Sequence, residues 1–197
     1  MQSGNTLLRY GSVAILLHWL IAALVIANLC LGEYFGDLPK SDPQLFALVQ
    51  IHKSIGLTVL VLSIFRLGWR LLNPVPPLPS AMPKSLRALA LTTHVLLYFL
   101  IIGIPLSGWA MVSASPIGLP TLYFGLFQWP HLPILAHLPR AQKSPLSHEL
   151  MAVHATLATS AIVLVIVHVA GALYHQFIRR DEILKRMLPG TRVKRVA

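Results

Sequence analysis

The sequence has 197 residues, of which 55% are hydrophobic and 11% are charged, and its mean hydropathy is +0.69. Soluble domains are about a quarter charged, so this composition excludes a soluble globular protein and indicates an integral membrane protein. The net charge of +10 is explained by membrane topology and anionic lipid rather than by nucleic-acid binding. Cys30 is the single cysteine, which excludes an internal disulfide.

Four apolar segments are long enough to cross a bilayer as single helices, and they predict one all-α domain, a membrane four-helix bundle over residues 1–197. The segments are residues 12–31, 45–69, 89–112 and 149–177. Gly103 and Pro105 lie inside the third segment and predict a bend there. The first segment is too long for the apolar region of a signal peptide, so we expect it to be a retained helix.

The basic residues are distributed unevenly between the two sides of the predicted bundle. Twelve of the 16 Lys and Arg residues fall in or beside the N-terminus, the loop of residues 71–88 and the tail of residues 178–197. The opposite side has the other four. Lys and Arg are enriched in cytoplasmic loops, so both termini are predicted to be cytoplasmic.

The outer loop, residues 113–147, is long and apolar for a segment outside the membrane. Its aromatic side chains suit the membrane interface, where they would form a lid over the bundle. These are Tyr123, Phe124, Phe127 and Trp129. The alternative is a re-entrant loop that faces lipid and covers no site.

Six of the nine histidines fall within the apolar segments, where ionisable side chains are rare and mostly functional. They are His18, His52, His94, His154, His168 and His175. One such histidine would more often be a hydrogen-bonded structural residue. Six in four helices indicate a shared cofactor chemistry.

Helical spacing sorts four of these histidines into two pairs. His154 and His168 are 14 residues apart, which puts them on one helix face about 21 Å apart along the axis. That distance is too long for one metal ion and suits two stacked cofactors. Depth along the other helices then pairs His18 with His168 at the inner side and His52 with His154 at the outer side.

Two neutral imidazoles at each level favour haem over other metal centres. Zinc would need further Cys or carboxylate ligands, and acidic residues are nearly absent from the apolar segments. The Glu-x-x-His pairs of a di-iron carboxylate site are also missing. A haem with two axial histidines would transfer electrons rather than bind oxygen, because its iron keeps no open position.

Short motifs in all four helices resemble the bacterial cytochrome b561 family, which is related to the membrane cytochrome b subunits of nickel–iron hydrogenases. They are "LLHWL", "IHKSIG", "HVLLY" and "VHATLA" followed by "VHVAGALYHQF", one set for each helix in order. The similarity extends to "FGLF" in the outer loop and to "DEILKRMLPG" after the fourth helix.

The resemblance implies two non-covalent b-type haems, electron exchange with quinone and a place in the bacterial inner membrane. It implies superoxide oxidation coupled to ubiquinone reduction as an activity. Carried onto this sequence, it makes His18, His52, His154 and His168 the axial ligands of the haem irons.

His94 and His175 remain, both near the cytoplasmic ends of their helices. They are interpreted as lining a quinone pocket beside the inner haem, where histidine can relay protons. Arg179, one turn after His175, would stabilise negative charge developing on the quinone. Two alternatives stay open, that both histidines are structural and that His94 replaces His18 as a ligand.

On the outer side, three basic residues could steer a small anion such as superoxide toward the outer haem. These are Lys53, Arg140 and Lys143. Alternatively, Lys53 pairs with a haem propionate or extends to the interface. The sequence thus predicts either an oxidoreductase that passes electrons from superoxide to quinone or an electron-transfer and anchor subunit for a periplasmic redox partner.

Overall fold

The computed structural model describes residues 2–191, and four of the helices there are long and apolar enough to cross a membrane. The four are α1 (Ser12–Gly36), α2 (Leu45–Leu72), α3 (Lys84–Ser113) and α5 (Arg140–Leu173). The short elements are β1 (Thr121–Tyr123), β2 (Phe127–Trp129), α4 (Pro133–Ala136), a π-helix (Tyr174–Arg179) and a 3₁₀-helix (Leu184–Met187). The predicted four-helix membrane bundle is therefore confirmed.

Neighbouring helices pack in chain order, α1 on α2, α2 on α3 and α3 on α5. Large apolar side chains cover the outside of the bundle, with Leu16 67% and Val95 68% exposed, as expected for helices that face lipid. Small polar side chains lie inside. The buried hydroxyl of Ser54 donates to the carbonyl of Gln50 one turn earlier, so it costs little in an apolar interior.

The helices are longer than their apolar segments. α1 continues to Gly36, α3 begins at Lys84, and α5 begins at Arg140, so the predicted starts at residues 89 and 149 are too late. Hydropathy detects the part of a helix that suits the bilayer, whereas polar turns continue the same hydrogen-bond ladder outside it. Pro105 lies within α3, which continues through it to Ser113.

The connection between α3 and α5 contains a small antiparallel hairpin that an all-α prediction does not include. Strand β1 pairs with β2 in the register Tyr123↔Phe127. The turn places Phe124 and Gly125 at positive φ, 47° and 72°, which a glycine adopts without steric cost. We call this end of the bundle the hairpin end.

The opposite end carries residues 2–11, the loop between α2 and α3 and residues 180–191, and we call it the terminal end. Arg9 donates to the carbonyl of Leu188 at 3.1 Å, and Trp19 Nε1 donates to the carbonyl of Met187 at 2.7 Å. Arg186 donates to the carbonyl of Pro77 at 2.6 Å. The segments that the charge pattern assigns to one side of the membrane thus share one end. Part of the predicted tail, residues 192–197, lies outside the described residues.

Candidate functional site

At the hairpin end, α2 and α5 bring two histidine rings together. The ring centres of His52 and His154 lie 6.2 Å apart, with an angle of 80° between the ring planes. The two helices are not sequence neighbours, so the fold itself creates this pair.

At the terminal end, three histidines from three helices lie close together. The ring centres of His18 and His168 are 6.2 Å apart, at an interplanar angle of 73°. His94 from α3 approaches the same His168 ring at 5.5 Å. His168 is therefore common to both possible pairs.

The spacing of the two equal pairs fits an iron held between two imidazoles. A metal–imidazole nitrogen bond is about 2 Å and the nitrogen lies about 1 Å from the ring centre, so two rings on opposite sides of one iron have centres about 6 Å apart. His18 with His168 and His52 with His154 both lie at 6.2 Å. The 5.5 Å between His94 and His168 is shorter than this geometry requires.

A cavity of about 260 Å³ surrounds the pair at the hairpin end. His52 and His154 both line it, and small residues of α5 form part of its wall. These include Ala155, Ala158 and Ala161. Apolar walls with two converging imidazoles suit a flat, largely apolar macrocycle with iron at its centre.

Two glycines give the histidine rings their room. A Cβ atom at Gly108 would lie 3.0 Å from Cε1 of His154, and one at Gly32 would lie 3.3 Å from Cε1 of His52. Both distances are shorter than ordinary van der Waals contact between carbon atoms. A side chain at either position would displace the imidazole, so these glycines act as cradles for the rings.

Hydrogen bonds fix the orientation of His154. Its Nδ1 lies 3.0 Å from the carbonyl oxygen of Ile104 and 3.0 Å from Oγ of Ser107. The Ser107 hydroxyl itself donates to the Ile104 carbonyl at 2.7 Å, so Nδ1 carries the hydrogen and donates to both oxygens. This tautomer leaves the Nε2 lone pair free for a metal, the arrangement usual for ligating histidines.

The outer loop is clamped onto α2 beside His52. Gln50 accepts a hydrogen bond from the Leu122 N–H and donates to the carbonyl of Pro120, both at 2.9 Å. Oγ of Ser54 accepts from the Phe124 N–H at 2.9 Å. Thr121, between these contacts, lines the cavity. The hairpin is therefore held beside the cavity and reaches it through Thr121, while the four aromatic side chains of the predicted lid are not among the residues that line it.

This clamp also engages one of the predicted steering residues. Lys53 Nζ donates to the carbonyl of Pro120 at 2.8 Å, while Lys53 also lines the cavity. Burial, together with the positive charge of Lys53, lowers the pKa of His131 in the outer loop. Arg140 is exposed at the start of α5, and Lys143 is half-buried one turn later. Steering by the three residues stays a prediction.

The residues predicted to line a quinone pocket occupy different surroundings. His175 is buried, and its Nδ1 lies 2.6 Å from Oδ2 of Asp181. Arg179 is exposed and donates to the carbonyl of Ala81 at 3.4 Å, on the loop between α2 and α3. His94 lies beside the terminal pair.

Several residues at these sites are absent from the sequence prediction. Gly32, Gly108, Ser107 and Asp181 each contact a predicted histidine. The only sequence signal for Asp181 is its place in "DEILKRMLPG" directly after the last apolar helix. The glycines and the serine carry no signal of their own, because their partners lie on other helices.

Comparison with known proteins identifies the family of this chain. The sequence model of the family described as "Prokaryotic cytochrome b561" matches residues 9–190. "Cytochrome b561 homolog 2" of Escherichia coli (strain K12) is 35% identical over 189 residues, which cover 95% of each chain. "Probable superoxide oxidase CybB" of Yersinia pestis is 30% identical, over 93% of this chain and 98% of that protein. The chain therefore belongs to the prokaryotic cytochrome b561 family, whose members are b-type haem proteins of electron transport.

Proposed function

We propose that the protein holds two b-type haems and passes electrons from superoxide at the hairpin end to ubiquinone at the terminal end. His52 and His154 would hold one haem, and His18 and His168 the other. The observation that carries this proposal is the equal spacing of the two ring pairs, 6.2 Å in each, at two levels of one bundle. Similarity to the Yersinia pestis protein supports superoxide as the donor.

The proposed direction of transfer follows from the charge distribution. Basic residues concentrate at the terminal end, which would place it in the cytoplasm and the hairpin end in the periplasm. The chain would then be a multi-pass protein of the bacterial inner membrane. Superoxide formed outside the cell would meet the hairpin end first.

The reaction balances without a further partner. Two superoxide anions give up one electron each and leave as two O₂ molecules, while one quinone takes two electrons and two protons to become a quinol. Bound haem supplies one-electron redox chemistry at each level. The chain itself orients His154 by hydrogen bonds, holds the hairpin beside the cavity and would provide protons at the quinone.

At the hairpin end the chain would attract and admit a small anion. Lys53 lies at the cavity wall, where one of its three N–H donors is used by the Pro120 carbonyl. Two donors remain for an approaching anion. Arg140 and Lys143 would add attraction at longer range, which raises the association rate more than the affinity.

At the terminal end the quinone headgroup would lie near His175 and His94. His175 is buried at the end of the bundle and follows His168 by seven residues. The ring centre of His94 lies 5.5 Å from that of His168, and His94 would face the same space as His175. Arg179 is directed to the Ala81 carbonyl, so we propose no direct contact of its guanidinium with the quinone.

Stopped-flow mixing with superoxide tests this function. We expect superoxide to reduce the haems of the purified protein within the mixing experiment, and added ubiquinone to reoxidise them. Superoxide dismutase added beforehand is the control and must abolish haem reduction. Haems that stay oxidised with superoxide, but are reduced by a periplasmic redox protein, would instead identify an electron-transfer subunit.

A further inference from the structure

The chain turns after the π-helix that follows α5, and the turn brings an aspartate against His175. The π-helix Tyr174–Arg179 ends at Arg180, whose φ of 54° lies in the left-handed region that few non-glycine residues occupy. The N–H groups of Arg180 and Asp181 both donate to the carbonyl of His175. Strained residues and π-helical turns are frequent at functional sites.

The side chains of His175 and Asp181 form a partly buried dyad. Nδ1 of His175 lies 2.6 Å from Oδ2 of Asp181, and the two side chains are 11% and 21% exposed. An ionised carboxylate only accepts hydrogen bonds, so Nδ1 carries the hydrogen. Nε2 has no hydrogen-bond partner among residues 2–191, which leaves this nitrogen to act on a ligand.

A turn contact accounts for only one of the two carboxylate oxygens of Asp181. Oδ1 of Asp181 accepts the N–H of Ile183 at 3.2 Å, the contact by which aspartates commonly stabilise a turn. The turn does not use Oδ2, yet Oδ2 makes the shorter of the two contacts, with Nδ1 of His175. The neighbouring acid, Glu182, pairs with Lys185 at 2.9 Å instead and does not take part in the dyad.

We propose that Asp181 is a positioning residue that holds His175 with Nε2 toward the quinone for proton delivery. The inference rests on the quinone site proposed above and assigns that site a residue outside the set of histidines. A carboxylate at Nδ1 fixes the tautomer and the ring orientation, so that Nε2 is the nitrogen that exchanges a proton with the quinone.

The proton balance assigns each group one task. One proton moves from Nε2 to a quinone oxygen, which breaks the Nε2–H bond and forms an O–H bond. The ring is then neutral and still donates Nδ1–H to Asp181. The second proton of the quinol comes from water at the terminal end, and the two electrons come from the donor at the hairpin end. Water recharges Nε2 after the quinol leaves.

The test compares Asp181→Asn with Glu182→Gln and His175→Ala. Each purified protein, at equal haem content, is reduced chemically and mixed with a soluble ubiquinone analogue over a range of concentrations, and haem reoxidation is followed. For Asp181→Asn we expect the maximal rate to fall by about tenfold or more, with a half-saturating quinone concentration changed by less than about twofold. Glu182→Gln removes an equal charge one residue away and should react like the parent protein.

A double variant separates positioning from a general structural effect. Adding Asp181→Asn to His175→Ala should slow reoxidation no further, because Asp181 acts only through His175. Asp181→Glu, which restores the carboxylate, should recover part of the rate. Parental rates in Asp181→Asn, with a slow His175→Ala, would overturn the role of Asp181 and leave the quinone site intact. Parental rates in both single variants would instead remove His175 from the proposed quinone site.

Discussion

The histidine pair at the hairpin end consists of two residues, whereas the pair at the terminal end shares its space with a third. His52 and His154 line an apolar cavity, and His154 is fixed by Ser107 and the Ile104 carbonyl. At the terminal end, His94 competes for the same partner ring. Nδ1 is buried without a hydrogen-bond partner among the described residues in one histidine of each pair, His18 and His52. The two pairs have equal spacing, and they differ in the hydrogen bonds on His154 and in the third imidazole, His94.

The difference indicates separate tasks for the two ends. A pair in which His154 is held by hydrogen bonds, beside a hairpin that is bonded to α2, suits a centre that only accepts and passes electrons. A cluster with a spare imidazole near His175 suits a place where electron transfer meets proton transfer. Four predictions test this comparison.

The largest expected effect is the loss of one haem. On the two-haem assignment, His154→Ala leaves one imidazole at the hairpin level, so that haem loses its low-spin spectrum or dissociates, while the terminal haem stays. The haem content measured by pyridine haemochrome analysis should fall from about two haems per chain to about one. His148→Ala, which replaces an exposed histidine on the same helix that does not line the cavity, is the control. A His154 variant that keeps two low-spin haems would contradict the pairing.

The next prediction separates the two candidates for the terminal ligand. His18→Ala should remove the terminal haem or its low-spin signal, because His18 has the spacing of a ligand. His94→Ala should keep both low-spin haems, because its ring lies too close to His168 for an iron between them. The visible absorption spectra of the two reduced variants give the answer. The reverse result would assign the ligand role to His94.

A smaller effect is expected when a glycine cradle is filled. In Gly108→Ala, the new Cβ would lie 3.0 Å from the His154 ring, and the strain would cost about 1–3 kcal/mol. We expect partial loss of the hairpin-level haem during purification. Gly103 lies on the same helix as Gly108, and a Cβ there would meet only Leu157, at 4.0 Å. Gly103→Ala should therefore retain the haem. Equal haem loss in both variants would show that these glycines affect the packing of α3 as a whole rather than the room for the His154 ring.

The smallest effect should follow from Ser107→Ala. His154 would lose one of its two Nδ1 acceptors, about 1 kcal/mol of hydrogen bonding, and the imidazole would become a slightly weaker base. A weaker base stabilises ferric iron less, so the midpoint potential of that haem should rise by about 10–40 mV, where 59 mV corresponds to tenfold for one electron. Ser160→Ala, whose hydroxyl bonds only within α5, is the control for redox titration.

Much of the bundle could be predicted from the sequence because lipid imposes a simple rule on helices. Apolar length predicts four spans, and the 14-residue interval between His154 and His168 predicts two levels. The structure brings each predicted pair of rings together, and the ligand role of those rings remains our proposal. The helix ends were less predictable, because the polar turn at Arg140 has no hydropathy signal.

The supporting contacts could not be predicted because they join distant parts of the chain. Ile104 and Ser107 precede their partner His154 by about 50 residues, and Gln50 meets Pro120 across 70 positions. No local pattern reports such a meeting. The dyad of His175 and Asp181 is local, but it depends on the left-handed conformation of Arg180, which favours glycine rather than arginine.

The clamp on the hairpin has a consequence for hydrogen–deuterium exchange. The N–H groups of Leu122 and Phe124 donate to Gln50 and Ser54 of α2 rather than to a second strand. Their exchange with solvent deuterium therefore requires the hairpin to lift from the helix, and not merely to separate its strands. The exchange of these two amides would therefore report how fast the hairpin lifts from α2, and Gln50→Ala should accelerate it.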